Sequence, residues 1–182
     1  MRTLALLLAF LLAMPASAGL SRVEARVHEF TLLVELLDGG HCSATKVGRN
    51  EILIAAHCIE ADTPAVLINH TPVDVLAVKI GPQDQARLTL RTEFVRWAVI
   101  GERPKQGDEV FVFGNPGDHR DQIRRGYISG DRADGLITAM LPIWKGDSGS
   151  AVFNDRGQIV AIVVQFDGNE YYTVAILQPV SR

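Results

Sequence analysis

The sequence predicts an all-β protein built in two halves of six short strands each. Three observations carry this. From about residue 31 to residue 177 the chain is a succession of short apolar segments rich in Val, Ile, Leu and Thr. Turn residues interrupt them at regular intervals, as in Asp38-Gly39-Gly40, Gly48-Arg49-Asn50 and Asn154-Asp155-Arg156-Gly157. Many short strands bounded by such residues form a sandwich or a barrel. The third observation is a break in the middle, where 91–108 holds Gly101, Pro104, Gly107 and several charges and reads as a linker over the surface.

The strands expected before the break are 31–37, 42–47, 51–55, 65–69, 73–80 and 86–90. Those after it are 109–113, 123–129, 136–140, 150–153, 158–164 and 171–177. Residues 21–29 place Val23, Val27 and Phe30 at helical spacing, so a short helix is expected ahead of the first strand. Two small barrels with a cleft between them follow from the even division.

Ahead of all this, Met1-Arg2 leads into an apolar stretch from Leu4 to Met14, broken by Pro15 and followed by Ala16-Ser17-Ala18. That is the layout of a secretory signal peptide, whose apolar core is too short to span a bilayer well; a membrane anchor is the alternative. The expected organisation is a signal peptide at 1–18, an N-terminal unit at 19–100 and a C-terminal unit at 101–182. No later segment approaches the apolar length of a membrane span, so the mature chain is expected to be soluble, in a periplasm or outside the cell.

The chain carries 18 basic and 21 acidic residues. This balance offers no electrostatic footprint for nucleic acid and no dense basic run for lipid headgroups. Arg120, Arg124 and Arg125 read as a solvated strand edge. The two cysteines, Cys42 and Cys58, are an even count in an oxidising compartment and predict one disulfide, with two free buried thiols as the alternative. His41 and His57 make no recognisable metal-ligand spacing with them, so no metal is expected.

Two short runs carry the chemistry: Leu53-Ile54-Ala55-Ala56-His57-Cys58 in the first half and Gly146-Asp147-Ser148-Gly149-Ser150 in the second. A serine hydroxyl is a poor nucleophile until a base takes its proton, and that base needs a third group to fix its tautomer. The glycines on either side of Ser148 allow a tight turn that aims the amides of Gly146 and Ser148 at a developing oxyanion. Each run also has a plainer reading, a surface Gly-Ser turn and a core histidine.

Ala55-Ala56-His57-Cys58 and Gly146-Asp147-Ser148-Gly149 resemble the runs of chymotrypsin-like serine proteases. Cys42-Ser43-Ala44-Thr45 is similar to the segment that this family ties by a disulfide to the cysteine after the histidine. The resemblance implies two six-stranded antiparallel β-barrels with the active site in the cleft between them. It also implies His57 as base, Ser148 as nucleophile and an aspartate between them in sequence. Asp84-Gln85-Ala86-Arg87-Leu88 matches the family's Asp-x-Ala-x-Leu, 27 residues after His57. Asp74 is the rival, 17 residues after it.

A second likeness covers Gly107-Asp108-Glu109-Val110, Phe113-Gly114-Asn115-Pro116-Gly117 and Gly126-Tyr127-Ile128-Ser129. These resemble the second barrel of bacterial periplasmic heat-stress proteases. The departures are informative too. Digestive members free an Ile-Val-Gly-Gly terminus to pair with the aspartate before the serine. No such run exists here, so Asp147 needs another partner, and Arg124 or Arg125 is the candidate. Where trypsin-like members place a specificity aspartate, this chain has Pro142, then Ile143 and Trp144; the facing wall is expected from Val164, Gln165 and Phe166. The implied preference is a small or apolar residue before the scissile bond.

The sequence thus points to an exported serine endopeptidase acting on protein or peptide substrates, with no cofactor. A non-catalytic binding protein on the same scaffold, or an esterase using the same triad, are the alternatives.

Overall fold

The computed structural model describes residues 20–36, 39–60, 62–168 and 173–180. The expected signal peptide at 1–18 lies outside them. A short helix, α1 (Arg22–His28), opens the described chain and is closed at its start by a reciprocal capping box. In it the Glu24 amide donates to the Ser21 hydroxyl, and the Ser21 amide donates to the Glu24 carboxylate at 2.7 Å.

Six strands follow: β1 (Thr31–Glu35), β2 (His41–Lys46), β3 (Glu51–Ala55), β4 (Ala65–Ile68), β5 (Thr71–Ile80) and β6 (Gln85–Leu90). They close into a barrel in the order β1-β2-β3-β6-β5-β4. The second set is β7 (Glu109–Gly114), β8 (Gln122–Asp131), β9 (Ile137–Met140), β10 (Ala151–Phe153), β11 (Ile159–Gly168) and β12 (Thr173–Pro179). It closes in the order β10-β11-β12-β9-β8-β7, so the two barrels share one connectivity. Every pairing between these strands is antiparallel, and each of the twelve expected strands is present, β3 with the expected bounds and the others with shifted ends; residues 37, 171 and 172 of the expected spans lie outside the described residues. The fold is therefore all-β, two six-stranded antiparallel barrels preceded by one short helix.

Three apolar cores hold it together. Leu32, Val34, Ala44, Ile52, Ile54 and Leu88 fill the first barrel. Val110, Val112, Ile128, Ala139, Val152 and Leu177 fill the second. Between the barrels lies a third core, where Val27, Phe30 and Leu53 meet Phe111, Phe113, Phe153, Ile159 and Ile162. Side chains alternate along a strand, so β3 sends Ile52 and Ile54 inward and Leu53 to the junction, and β7 divides its residues likewise. Burial on both faces is why these two strands read as continuous apolar runs.

Residues 91–108 run over the surface as expected, with most of them exposed, yet their backbone is tied to both barrels. Phe94 N–H donates to Arg49, Ala98 N–H to Lys46 and Gly101 N–H to Ile159, all to backbone carbonyls. Ala98 is buried in the junction core. The connection is strapped to both barrels, which fixes their relation and with it the cleft.

Candidate active site

The first barrel carries His57, the expected base. β3 ends at Ala55 and passes into one 3-10 turn, Ala56–Cys58, that carries His57. The Cys42–Cys58 disulfide, with a Cα–Cα distance of 6.3 Å, ties this turn to β2. Asp84 stands just before β6 and grips the same turn three times. Its Oδ2 lies 2.6 Å from His57 Nδ1, its Oδ1 accepts from the His57 amide at 2.8 Å, and its carbonyl accepts from the Ala56 amide at 2.9 Å. An ionised carboxylate only accepts, so it holds the proton on Nδ1 and leaves Nε2 free to take one. Asp74, by contrast, sits on β5 and pairs with Arg91 Nε at 2.9 Å, with both side chains well exposed.

Asp84 and its neighbour Gln83 both have left-handed backbone angles, φ of 61° and 51°. Non-glycine residues take this region at a cost, so something must hold the turn. The Gln83 side-chain amide crosses the cleft and donates to the Asp134 carbonyl, in the turn between β8 and β9.

The second barrel carries the loop 144–150 with Ser148, the expected nucleophile. Gly146 and Gly149 take φ values of 95° and 83°. A Cβ on Gly146 would lie 2.3 Å from the Asn115 carbonyl oxygen, and one on Gly149 would lie 2.2 Å from that of Ser43. Only glycine fits either place. The same atom on Gly149 would meet the Ala55 amide at 2.8 Å, so Gly149 lies directly against the strand that leads to His57.

Four consecutive carbonyls of this loop are anchored. Lys145 O accepts from the Gly117 amide at 2.7 Å, Gly146 O from the Ser43 hydroxyl at 3.0 Å, Asp147 O from the Ser150 amide at 2.8 Å, and Ser148 O from the Ser43 amide at 2.9 Å. Of the amides, Asp147 N–H donates to Trp144 O and Gly149 N–H to Val163 O. Among the described residues the N–H groups of Gly146 and Ser148 have no acceptor, and the Ser148 hydroxyl has no hydrogen-bond partner either. These two amides, on either side of the bonded Asp147 N–H, are the donors expected for an oxyanion.

Asp147 is fully buried. Arg124, from β8, binds it through both guanidinium arms, with Nη1 at 2.5 Å from Oδ2 and Nη2 at 2.6 Å from Oδ1; the Trp144 amide adds a third bond at 2.8 Å. Of the two arginines that sequence offered, Arg124 takes this role and Arg125 turns to Glu24. Arg124 is thus not on a solvated edge, since its side chain is only 15% exposed. Gly114 makes the pair possible, because a Cβ there would lie 2.3 Å from Asp147 Oδ1.

The residues expected to shape the specificity pocket are dispersed. Pro142 is exposed, whereas Ile143 is buried in the second barrel's core and Val164 in the junction core. Phe166 stacks on Trp144 with ring centroids 5.7 Å apart at 18°. Val164 is the extra residue of a bulge, since Val163 pairs with Leu177 and Gln165 already with Ile176. Cys42, His57 and Cys58 cluster within 4.8 Å, but the two sulfurs are bonded to each other, which leaves the imidazole as the sole donor. Sequence reasoning missed Ser43, Asn115 and Gly117, whose roles arise only from the packing of one barrel on the other.

The chain matches the family described as "Trypsin-like peptidase domain" over residues 25–162. No curated protein matches it by sequence. Among solved structures, an inactive form of the Rv3671c protease superposes with a TM-score of 0.72 at 19% identity, covering 86% of each chain. The active form of that protease, from M. tuberculosis, gives 0.71 at 19% identity, over 86% of this chain and 79% of that one. The serine endoprotease from Yersinia pestis gives 0.74 at 20% identity, over 86% of this chain and 61% of that one. At such identities the superpositions speak for the fold. With the family matched across most of its length, the chain belongs to the trypsin-like peptidase domain family and is a serine protease.

Proposed function

We propose that the protein is an exported serine endopeptidase in which His57, Asp84 and Ser148 form the catalytic triad. The reading rests on one observation above the others: Asp84 fixes the Nδ1 proton of His57 in a cleft where the amides of Gly146 and Ser148 stand without acceptors. Ser148 Oγ attacks the peptide carbonyl while its proton passes to His57 Nε2. The carbonyl oxygen becomes an oxyanion held by the two amides. His57 then gives the proton to the leaving amine, the C–N bond breaks and an acyl-enzyme remains. Water, deprotonated by the same imidazole, hydrolyses the ester and restores Ser148. No cofactor enters this scheme.

Residues 1–18 act as the leader, and 19–100 and 101–182 are the two units that meet at the cleft. Arg124 supplies the partner of Asp147 from within the chain, so the nucleophile loop is built without a newly freed amino terminus. We take the stacked rings of Trp144 and Phe166 as a wall of the specificity pocket, which favours a small or apolar residue before the scissile bond. Trp144→Ala and Phe166→Ala should shift cleavage of a peptide library toward larger residues at that position.

A fluorophosphonate probe tests the triad itself. It should label the wild type, and Ser148→Ala should abolish labelling and library cleavage together. Labelling that survives in Ser148→Ala rejects the assignment. Hydrolysis of short acyl esters without cleavage of any peptide favours an esterase, and partner binding without turnover favours a non-catalytic scaffold.

A further inference from the structure

We propose that Ser43 is a positioning residue of the oxyanion loop, holding across the barrel interface the two peptide groups, Gly146–Asp147 and Ser148–Gly149, that adjoin those carrying the Gly146 and Ser148 amides. This rests on the reading of those amides as the oxyanion hole. Ser43 lies on β2 of the first barrel and is fully buried. Its hydroxyl is saturated. It donates to Gly146 O at 3.0 Å and accepts from both the backbone amide and the side-chain amide of Asn115, each at 3.1 Å. Its own backbone amide donates to Ser148 O at 2.9 Å.

The geometry explains what this achieves. A peptide unit is planar and trans, so fixing its carbonyl fixes the direction of the N–H on the other side. The Gly146 amide belongs to the unit whose carbonyl, Lys145 O, is held by Gly117. Gly146 joins that unit to the next, and glycine resists rotation less than any other residue. The Ser43 hydroxyl, by holding Gly146 O, stops the rotation that glycine would otherwise allow. Asn115 completes the brace. It orients the Ser43 hydroxyl, and its own carbonyl accepts from His41 Nε2 at 2.7 Å. The loop is thereby held from β2 and from the segment after β7 at once.

Removing the hydroxyl leaves the triad and both amides in place but loosens their aim. The loss should fall on the tetrahedral state and spare the ground state. The test uses Ser43→Ala and Ser43→Gly, which both keep the backbone amide and add no bulk; the second stands in if the first does not fold. Rates are taken per active site, counted by the burst of an acylating substrate. The expected result is a fall in kcat of about tenfold with KM within about twofold. That is a fraction of the roughly 100- to 1,000-fold that losing one oxyanion donor costs. A peptide boronic acid, which presents a tetrahedral oxygen to the two amides, should lose affinity in the same proportion. A kcat per site and a boronate affinity equal to those of the wild type overturn the proposal. So does a loss confined to KM, to thermal midpoint or to the fraction of active sites. A wild type that takes no fluorophosphonate rejects the triad reading, and this proposal with it.

Discussion

Arg124 and Asp147 face each other through two parallel hydrogen bonds of 2.5 and 2.6 Å, with the carboxylate fully buried one residue before the nucleophile. A buried charge stripped of its partner is strongly destabilising. Arg124→Met should therefore cost about 3–5 kcal/mol of stability in denaturant unfolding and depress the burst amplitude. Arg124→Lys should recover only part of either, because an ammonium cannot make the paired contact.

Asp84 and Asp74 separate by partner. Asp84→Asn should lower kcat at neutral pH by about 10⁴-fold, since an amide facing Nδ1 favours the wrong tautomer, while KM and the unfolding midpoint change little. Asp74→Asn removes only an exposed contact to Arg91 and should leave kcat unchanged. The kinetics of the two variants, measured side by side, decide between them.

The disulfide joins residues 16 apart and pins the turn that holds the imidazole. On chain-entropy grounds its reduction should cost about 3 kcal/mol. Activity should fall with it as the His57 turn loosens. Unfolding with and without reductant measures the first effect, and burst titration the second. Intact mass should find no free thiol before reduction.

Acidification should weaken the capping box and the Arg125 contact that Glu24 makes at the N-terminal helix. Burial pushes the Glu24 carboxyl upward, but the Ser21 amide and hydroxyl and the Arg125 guanidinium outweigh it, and the net shift is below the ordinary 4.5. A carboxyl with a lowered folded value stabilises fully above its unfolded value and loses that contribution as pH falls through the folded one. The loss therefore lies below about pH 4.5 and spares the neutral range. Unfolding midpoints followed down through the carboxylate range should drop for the wild type. Glu24→Gln should start lower and drop less.

Much of the fold was legible because short apolar runs between turn residues are a local signal. The twelve strands could be found one at a time. The end of β11 could not: the strand is expected to stop at 164, yet Gln165, Phe166, Asp167 and Gly168 pair with Ile176, Ala175, Val174 and Thr173 beyond the bulge. The strap at 91–108 was hidden for a similar reason. Its polar composition suggests solvent, while its backbone bonds reach Lys46, Arg49 and Ile159. At the site, His57, Asp84 and Ser148 stand in runs with recognisable neighbours. Ser43 meets Asn115 across 72 residues and Gly146 across 103, and no local pattern records such a meeting. Of the expected specificity wall, Ile143 and Val164 are also buried in two different cores, which their apolar character alone could not reveal.

The adjacency of Cys42 and Ser43 has a mechanical consequence. One residue is covalently joined to the turn of His57, and the next is hydrogen-bonded to the carbonyls of Gly146 and Ser148. His57 of one barrel and the 144–150 loop of the other are thus tied to two consecutive residues of β2. A displacement of that strand carries the imidazole and the peptide groups around Ser148 together.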